Sequence, residues 1–375
     1  MLTAFRVLVY DRYDTLNVLD DLTHRLTGGA YSSKLHGGCD QATLTFGGPL
    51  DSLWMYLRTE AQAGRHFAHL LITEGLEWRW EGRVVDIGLG GSGSNVQMTL
   101  TAMGYWSSCR DVEIRANLTY SSKTVDFILK DLLTTYCPDI NSDQAGIEAV
   151  AGSISPTLKG QQYTQDMIVK DLAPLGDSDN NVYRFSVGED RLPSYKKRDV
   201  STVHWEAYLA DMSSWQISQG VQHARKTIRA DDGTTIHSAQ DAVNWPSAWP
   251  ARDLTITVPA GIGSTAADDA AGRSAAEKGR VQNTGTRFVI GARPERLATI
   301  HPPLGSRSAI QAGDVLRVVD LFPSTPAAAS LDQLRTFVVG KVAYSLVADT
   351  VTVQPDDPPS GLDVLLARTG LELRR

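Results

Sequence analysis

The chain has 375 residues, 42% hydrophobic and 21% charged, with a formal net charge of -7 from 43 acidic and 36 basic side chains. That composition excludes disordered and collagen-like classes. It also disfavours tight nucleic-acid binding, because the most basic stretch, Lys196-Lys197-Arg198, is too short to neutralise many phosphates. The length predicts two or three domains. Cys39, Cys109 and Cys137 are an odd number at wide spacing, which predicts neither a disulfide framework nor a Cys-x-x-Cys metal site and fits folding in a reducing compartment. The N-terminal segment MLTAFRVLVYDRYDTL lacks the apolar core of a signal peptide, and no run approaches the ~18 apolar residues of a membrane span. The expectation is synthesis in the cytosol, with no export signal and no membrane anchor.

In chain order, the first strand is expected over Phe5 to Tyr10. Ala42, Leu44 and Phe46 alternate with Gln41, Thr43 and Thr45, the period-two signature of a half-buried strand. A short helix is expected over 51–60, capped by Asp51, with Leu53, Trp54 and Leu57 on one face. In LEWRWEGRVVDI, Leu76, Trp78 and Trp80 point one way and Glu77, Arg79 and Glu81 the other. GLGGSGSN, residues 88–95, lacks the lysine and following Ser/Thr of a P-loop and reads as a flexible hairpin connection before the alternating run Val96 to Ala102.

The pattern changes near residue 110. Val125, Ile128, Leu129, Leu132, Leu133 and Tyr136 recur at helical spacing, with Ser121 or Ser122 as cap and Pro138 just beyond. A second helix is expected over 164–173, capped by Thr164, followed by strands at Val182 to Val187 and Val203 to Tyr208. Beyond them Asp253 to Val258 alternates. The segment STAADDAAGRSAAEKGR predicts a helix with acids in its first turn, Lys278 and Arg280 in its last, and Ala267, Ala270, Ala271 and Ala275 close against a sheet. Strands are then expected at Arg287 to Gly291, Val315 to Leu321, Thr336 to Leu346 and Thr350 to Val353. The fold class is α+β and β-rich: a β domain over 1–108, a mixed α+β unit over 109–200, and a second β-rich domain with one packed helix over 201–375. No repeat of 20 to 50 residues is visible, which disfavours solenoids and propellers.

Candidate chemistry is sparse. His36 and Cys39 flank the glycine pair of HGGC, the arrangement a cysteine hydrolase needs if the imidazole reaches the thiol. The structural alternative, favoured here, has Gly37 and Gly38 turning the chain into a strand, with Cys39 as a small semi-buried residue. His66 and His69 are three apart and face opposite sides of a strand, which opposes joint metal ligation. The pairs Asp20-Asp21, Asp231-Asp232, Asp268-Asp269 and Asp356-Asp357 read as solvated or capping groups. Trp78 with Trp80, or Trp245 with Trp249 in NWPSAWP, could form a sugar platform, although burial on one sheet face is the plainer reading of the first pair. Catalytic, cofactor and metal residues are each expected to be none.

Three segments carry a resemblance to a known family. YSSKLHGGCDQATLTFGG followed by WRWEGRVVDIGLG resembles the first tube domain of tail hub proteins of long-tailed bacteriophages and related prophages. YTQDMIVKDLA followed by VYRFSVGEDRLPSYKKRDVSTVHW is similar to the middle of such proteins. AGDVLRVVDLF, LRTFVVGKVAYSL and VTVQPDDPPSGLDVLLAR complete the order. The resemblance implies two β-barrel-like tail-tube domains flanking a mixed insertion, in a homotrimeric baseplate or tail-tip hub that matches a sixfold tube to a threefold tip. It implies as partners the tail tube or distal tail protein, the tape measure protein, and tail-tip fibre or receptor-binding proteins. DNA would only pass non-specifically through the channel, along polar strand faces kept from adhering by the acidic balance. The location implied is the virion tail, assembled in the host cytoplasm. The chain ends at Arg375 without the long fibre or lysin region of many siphophage relatives, so receptor binding and wall digestion are expected of other proteins. A distal tail protein in a hexameric ring and a glycan-binding β protein of the tail tip are the alternatives.

Overall fold

The computed structural model describes residues 5–11, 18–48, 55, 58–59, 68–92, 95–177, 181–198, 202–220, 222–243, 245–280, 282–283, 285–291, 298–299, 309–319, 321 and 336–356. The N-terminal strands are β1 (Phe5–Tyr10), β2 (Val18–Asp21), β3 (Leu26–Lys34), β4 (Gly37–Gly47), β5 (His69–Glu74), β6 (Glu77–Ser92) and β7 (Asn95–Gly104). Helix α1 (Val125–Tyr136) follows, then the hairpin β8 (Tyr183–Val187) and β9 (Pro193–Lys197). After β10 (Trp205–Tyr208), β11 (Met212–Gln216), β12 (Thr227–Asp231) and β13 (Asp253–Thr257) comes helix α2 (Ser264–Lys278). The last strands are β14 (Arg287–Gly291), β15 (Val315–Val319), β16 (Thr336–Ser345) and β17 (Thr350–Pro355).

The two β-rich regions share one sheet. Its path runs β11-β14-β17-β16-β3-β4-β7-β6-β5-β1-β2, and the joint between the regions is the antiparallel pair β3 and β16, from Lys34↔Lys341 to Ala30↔Ser345. Among the described residues the path is open at β11 and β2, so the strands form a broad sheet rather than two closed barrels. Register explains why the joint holds. The cross-strand row Ile290, Val351, Tyr344, Tyr31, Ala42, Ala102 and Val84 crosses seven strands, and every member is buried. Tyr31 and Tyr344 stack across the joint with ring centroids 5.1 Å apart. The hydrophobic face is therefore continuous through it. One core unites residues from Phe5 to Ala102 with residues from Trp205 to Val353.

A second core lies beside the sheet. Ile128, Leu129, Leu132 and Leu133 of α1 meet Met167, Ile168, Phe185 and Tyr195, together with Ile228 and Ala230 of β12 and Ala267, Ala270, Ala271 and Ala275 of α2. The alanines let α2 approach β12, as the small-residue stripe predicts, although that neighbour belongs to the second core. The helix starts at Ser264, so Asp268 and Asp269 fall beyond its first turn, and no side chain caps it. The cap of α1 is Thr124, whose Oγ1 accepts from Phe127 N at 3.4 Å, rather than Ser121 or Ser122. Thr164 likewise lies inside its helix, with Tyr163 at the cap position. That helix widens at once into a π segment, Met167–Leu172, and closes in a 3-10 turn containing Pro174.

Two other expectations change. The β6–β7 ladder continues through the glycine run, with Gly88↔Thr99, Gly90↔Gln97 and Ser92↔Asn95, so the hairpin expected over 88–95 is an antiparallel pair whose arms are paired strand rather than a flexible connection. Glycines remove side chains without removing the N–H and C=O groups that pair. In β6, a register shift between Ile72 and Thr73 of its partner places Ile72 opposite Trp80 and Thr73 opposite Trp78. Trp80 is fully buried while Trp78 is 43% exposed, and Arg79 and Glu81 are buried as well, so the simple alternation fails there. The expected helix over 51–60 lies largely outside the described residues, and His66 and Asp357 lie wholly outside them.

Candidate functional site

The residues singled out by reactivity do not converge. Cys39 is buried in the sheet core, and burial pushes its thiol well above the ordinary range, near Glu189 and Glu81. His36 sits in the β3–β4 turn among different neighbours, Arg184, Glu277 and Arg198, and burial lowers its imidazole to about 3. Its Nδ1 is buried without a hydrogen-bond partner among the described residues. The histidine thus offers no activation to the thiol. The glycines between them serve contact instead. Gly37 and Gly38 have φ of 120° and 74° and pair in parallel with Ser186 and Val187 of β8. A Cβ on Gly37 would meet the Trp106 ring, and one on Gly38 would overlap the Val187 carbonyl. HGGC is where the α+β body docks on the sheet.

Charges gather at the same joint. Arg184 lies 2.9 Å from Glu277 and 3.5 Å from Asp356, and Arg198 lies 3.6 Å and 3.2 Å from the same two carboxylates. This largely buried quartet ties β8, α2 and the end of β17 together, which the sequence did not announce because its members are far apart in the chain. Nearby, Glu81 of β6 accepts from Asp190 N at 2.8 Å, and burial raises its carboxyl to about 7. Asp190 and Arg191 hold φ of 56° and 54°, so the Glu81 contact fixes a left-handed pair. His69 is buried with Nδ1 2.8 Å from the Tyr105 hydroxyl, and burial lowers it to about 4.

The other candidates are structural or separate. Asp21 bonds Arg6 at 2.8 Å, Asp232 accepts from Thr234 N and Thr235 N, and Asp268 accepts from Ser238 N. Among the described residues no group of three or more His, Cys, Asp or Glu could hold a metal. No helix there is long and apolar enough to cross a membrane. Trp80 donates its Nε1 to Ser32 O at 3.1 Å in the core, so it forms no platform with Trp78. Trp245 and Trp249 are perpendicular, 5.2 Å apart, rather than coplanar.

What the architecture does present is a face. Adjacent to the buried row, Thr350, Ser345, Ala30, Thr43, Thr101 and Asp86 stand opposite one another on six successive strands, all exposed or half-exposed. At ~4.8 Å per strand this row spans about 24 Å. A second row, Gly28, Thr45, Thr99 and Gly88, runs beside it. Lys34, at the edge of the face, is held 2.7 Å from Asp40. The surface is polar, largely uncharged, and continuous across both β-rich regions. Its residues are individually ordinary; only the register makes them a surface.

An open sheet with a polar face, backed by one core and braced by an α+β body, defines a β-rich protein organised around a broad surface. No protein-family profile matches the chain and no curated protein matches it by sequence. Solved structures do. A tail protein from Neisseria meningitidis MC58 superposes with a TM-score of 0.64 at 12% identity, over 93% of this chain and 95% of that one. The 43 kDa tail protein of prophage MuSo2 from Shewanella oneidensis gives 0.62 at 8% identity, over 94% and 98%. Prophage tail protein gp18 from Listeria monocytogenes EGD-e gives 0.55 at 12% identity, over 98% and 99%. The chain shares its fold with phage tail proteins along nearly its whole length, as the sequence resemblance implied.

Proposed function

We propose that the chain is a structural hub of a phage-type tail tip or baseplate, and that its polar sheet face lines a channel. The observation that carries this reading is the Thr/Ser row crossing the β3–β16 joint. A single surface made by both β-rich regions is what two tube-wall units in one chain would present to a lumen. Three chains would then supply six such units. Residues 1–108 and 201–375 are the proposed wall units and 109–200 the insertion, with Ile228, Ala230, Val258, Ile262 and the alanines of α2 from Ala267 to Ala275 contributing their side chains to the insertion's core.

The face suits passage rather than capture. Neutral hydroxyls offer DNA no array of cations, and Lys34 is already paired with Asp40, so counterion release supplies little affinity. The proposed neighbours are the tail tube or distal tail protein above, the tape measure within, and fibre or receptor-binding proteins below, in the virion tail. No catalytic role is proposed: the fold neighbours are tail proteins, and Cys39 and His36 are held apart in their environments.

Native mass measurement tests the reading. Three copies support the hub, six copies would instead favour a distal tail ring, and a monomer that persists at high concentration would overturn both. Imaging the assembled particle decides the face: Thr43 and Thr101 on the lumen wall support the proposal, and the same residues on the outer surface defeat it.

A further inference from the structure

We infer that the turn over residues 245–250 is a docking knob that seats in the cavity at the start of α2 on a second copy of this chain. The inference rests on the hub reading for the presence of further copies. Within NWPSAWP, which offers no coplanar sugar platform, these residues build a braced projection. Trp249 N donates to Pro246 O at 3.0 Å, Trp245 Nε1 donates to Trp249 O at 3.4 Å, and the two rings meet edge to face. Both stems are pinned at one residue, since Ala242 N donates to Lys226 O and Lys226 N donates to Arg252 O, each at 2.8 Å. The tryptophans are half-buried posts, whereas Pro246, Ser247 and Ala248 at the tip are small and exposed. From Val243 to Ala251 the sequence holds no charged side chain, and Val243 is 92% exposed. Two prolines fix φ and stiffen the turn before it meets a partner, which lowers the ordering cost of docking.

The cavity has the complementary character. It measures about 400 Å³, within the ~300–1,000 Å³ range of sites that enclose a bound group. Val125, Leu175 and Ile262 give it apolar walls, and Asp177 and Asp269 are the charged residues among those lining it. No Lys, Arg or His lines it among the described residues, and the knob brings Lys226 and Arg252 at its base. Hydrogen-bonding capacity matches as well. Pro246 and Pro250 have no N–H, so the turn offers carbonyls in excess, whereas Ser264 and Thr265 on the cavity wall present hydroxyls at a helix start that no side chain caps. A chain cannot fill its own cavity. Ala242, where the knob begins, lies against Gly279 just beyond the last turn of α2. Thr265 lies at the other end of that helix, about 21 Å away at ~1.5 Å per residue. The arc from Val243 to Ala251 reaches at most roughly 15 Å from its pinned stems. The contact therefore runs between copies, and because knob and cavity are different surfaces it is head-to-tail, the kind that closes a ring.

The experiment uses the full chain carrying Ser247→Cys and Thr265→Cys together, oxidised under native conditions, digested and mapped; the three native cysteines are buried. The expected result is a disulfide between chains, joining positions 247 and 265 and absent from either single variant. Independently, Ala248→Glu sets a carboxylate against Asp269 and should weaken self-association at least tenfold, read by sedimentation, with an unchanged circular dichroism spectrum. Adding Asp269→Lys should restore part of that association, which a merely structural role for the turn would not do. Oligomers that form without the 247–265 link, a link confined to single chains, or Ala248→Glu associating as tightly as wild type would overturn the inference and leave the hub reading standing. A wild type that stays monomeric at high concentration would overturn both.

Discussion

The sheet and the α+β body achieve burial by different means. In the sheet, burial follows register: one row of apolar residues crosses seven strands, and the adjacent row is polar. In the body, short elements converge from many parts of the chain, and the core closes around alanines and a charged quartet. Periodicity organises the first, and long-range contact organises the second. The joint between them is made by glycines where side chains would collide.

The strongest test of that joint is Gly38→Ala. The left-handed φ and the overlap with Val187 should cost about 4 kcal/mol or more, or prevent folding, as measured by chemical denaturation. A loss under about 1 kcal/mol would mean that the docking yields. Next comes a matched pair, Trp80→Ala in the sheet core and Leu129→Ala in the body core. Each should lose roughly 3 kcal/mol by leaving a cavity. If the two cores unfold together, both variants shift one transition; two separate transitions, each moved by one variant, would show that the body melts independently.

Arg184→Met should cost about 3 kcal/mol by leaving the buried Asp356 and the half-buried Glu277 to Arg198 alone. Adding Glu277→Gln should return part of that loss, and simple additivity would argue that the quartet is not coupled. Glu81 gives a smaller, pH-dependent effect. Its folded pKa, about 7, is raised above the ordinary carboxyl value of 4.5, so the folded state holds the proton more tightly. Its contribution is full below the unfolded pKa and is lost as pH rises through about 7. Glu81→Gln should flatten that fall and be more stable than wild type at pH 8 by about 2 kcal/mol, provided Asp190 N keeps an acceptor. The smallest stability change belongs to the exposed face. Thr43→Arg with Thr101→Arg should alter stability by less than about 0.5 kcal/mol while increasing salt-sensitive retention of DNA, read by gel shift across ionic strengths.

Much of the sheet was legible in the sequence because alternation is local: Ala42, Leu44 and Phe46 need only their neighbours to reveal a face. The α1 helix was legible for the same reason. The failures mark where distant partners intervene. Arg79 and Glu81 looked like an outer face, but the register shift and the 188–191 loop bury them. HGGC was readable as the entrance to a strand with left-handed glycines, although β4 already begins at Gly37 and the turn is Leu35–His36; its role as the docking point needed Trp106 and Val187, which no local pattern names. The polar face was expected in kind, but its crossing of the β3–β16 joint depends on a pairing between the two ends of the chain.

The β3–β16 pairing also sets an order of events during synthesis. Strand β3 emerges early, pairs with β4, and must wait for nearly the whole remaining chain before β16 arrives to cover its other edge. Until then the nascent protein carries an open strand edge bearing Tyr31, a site for mispairing with another copy. Completion of the sheet is a late, chain-length-gated step, so truncation before Thr336 should leave that edge open and raise association through it relative to the full chain.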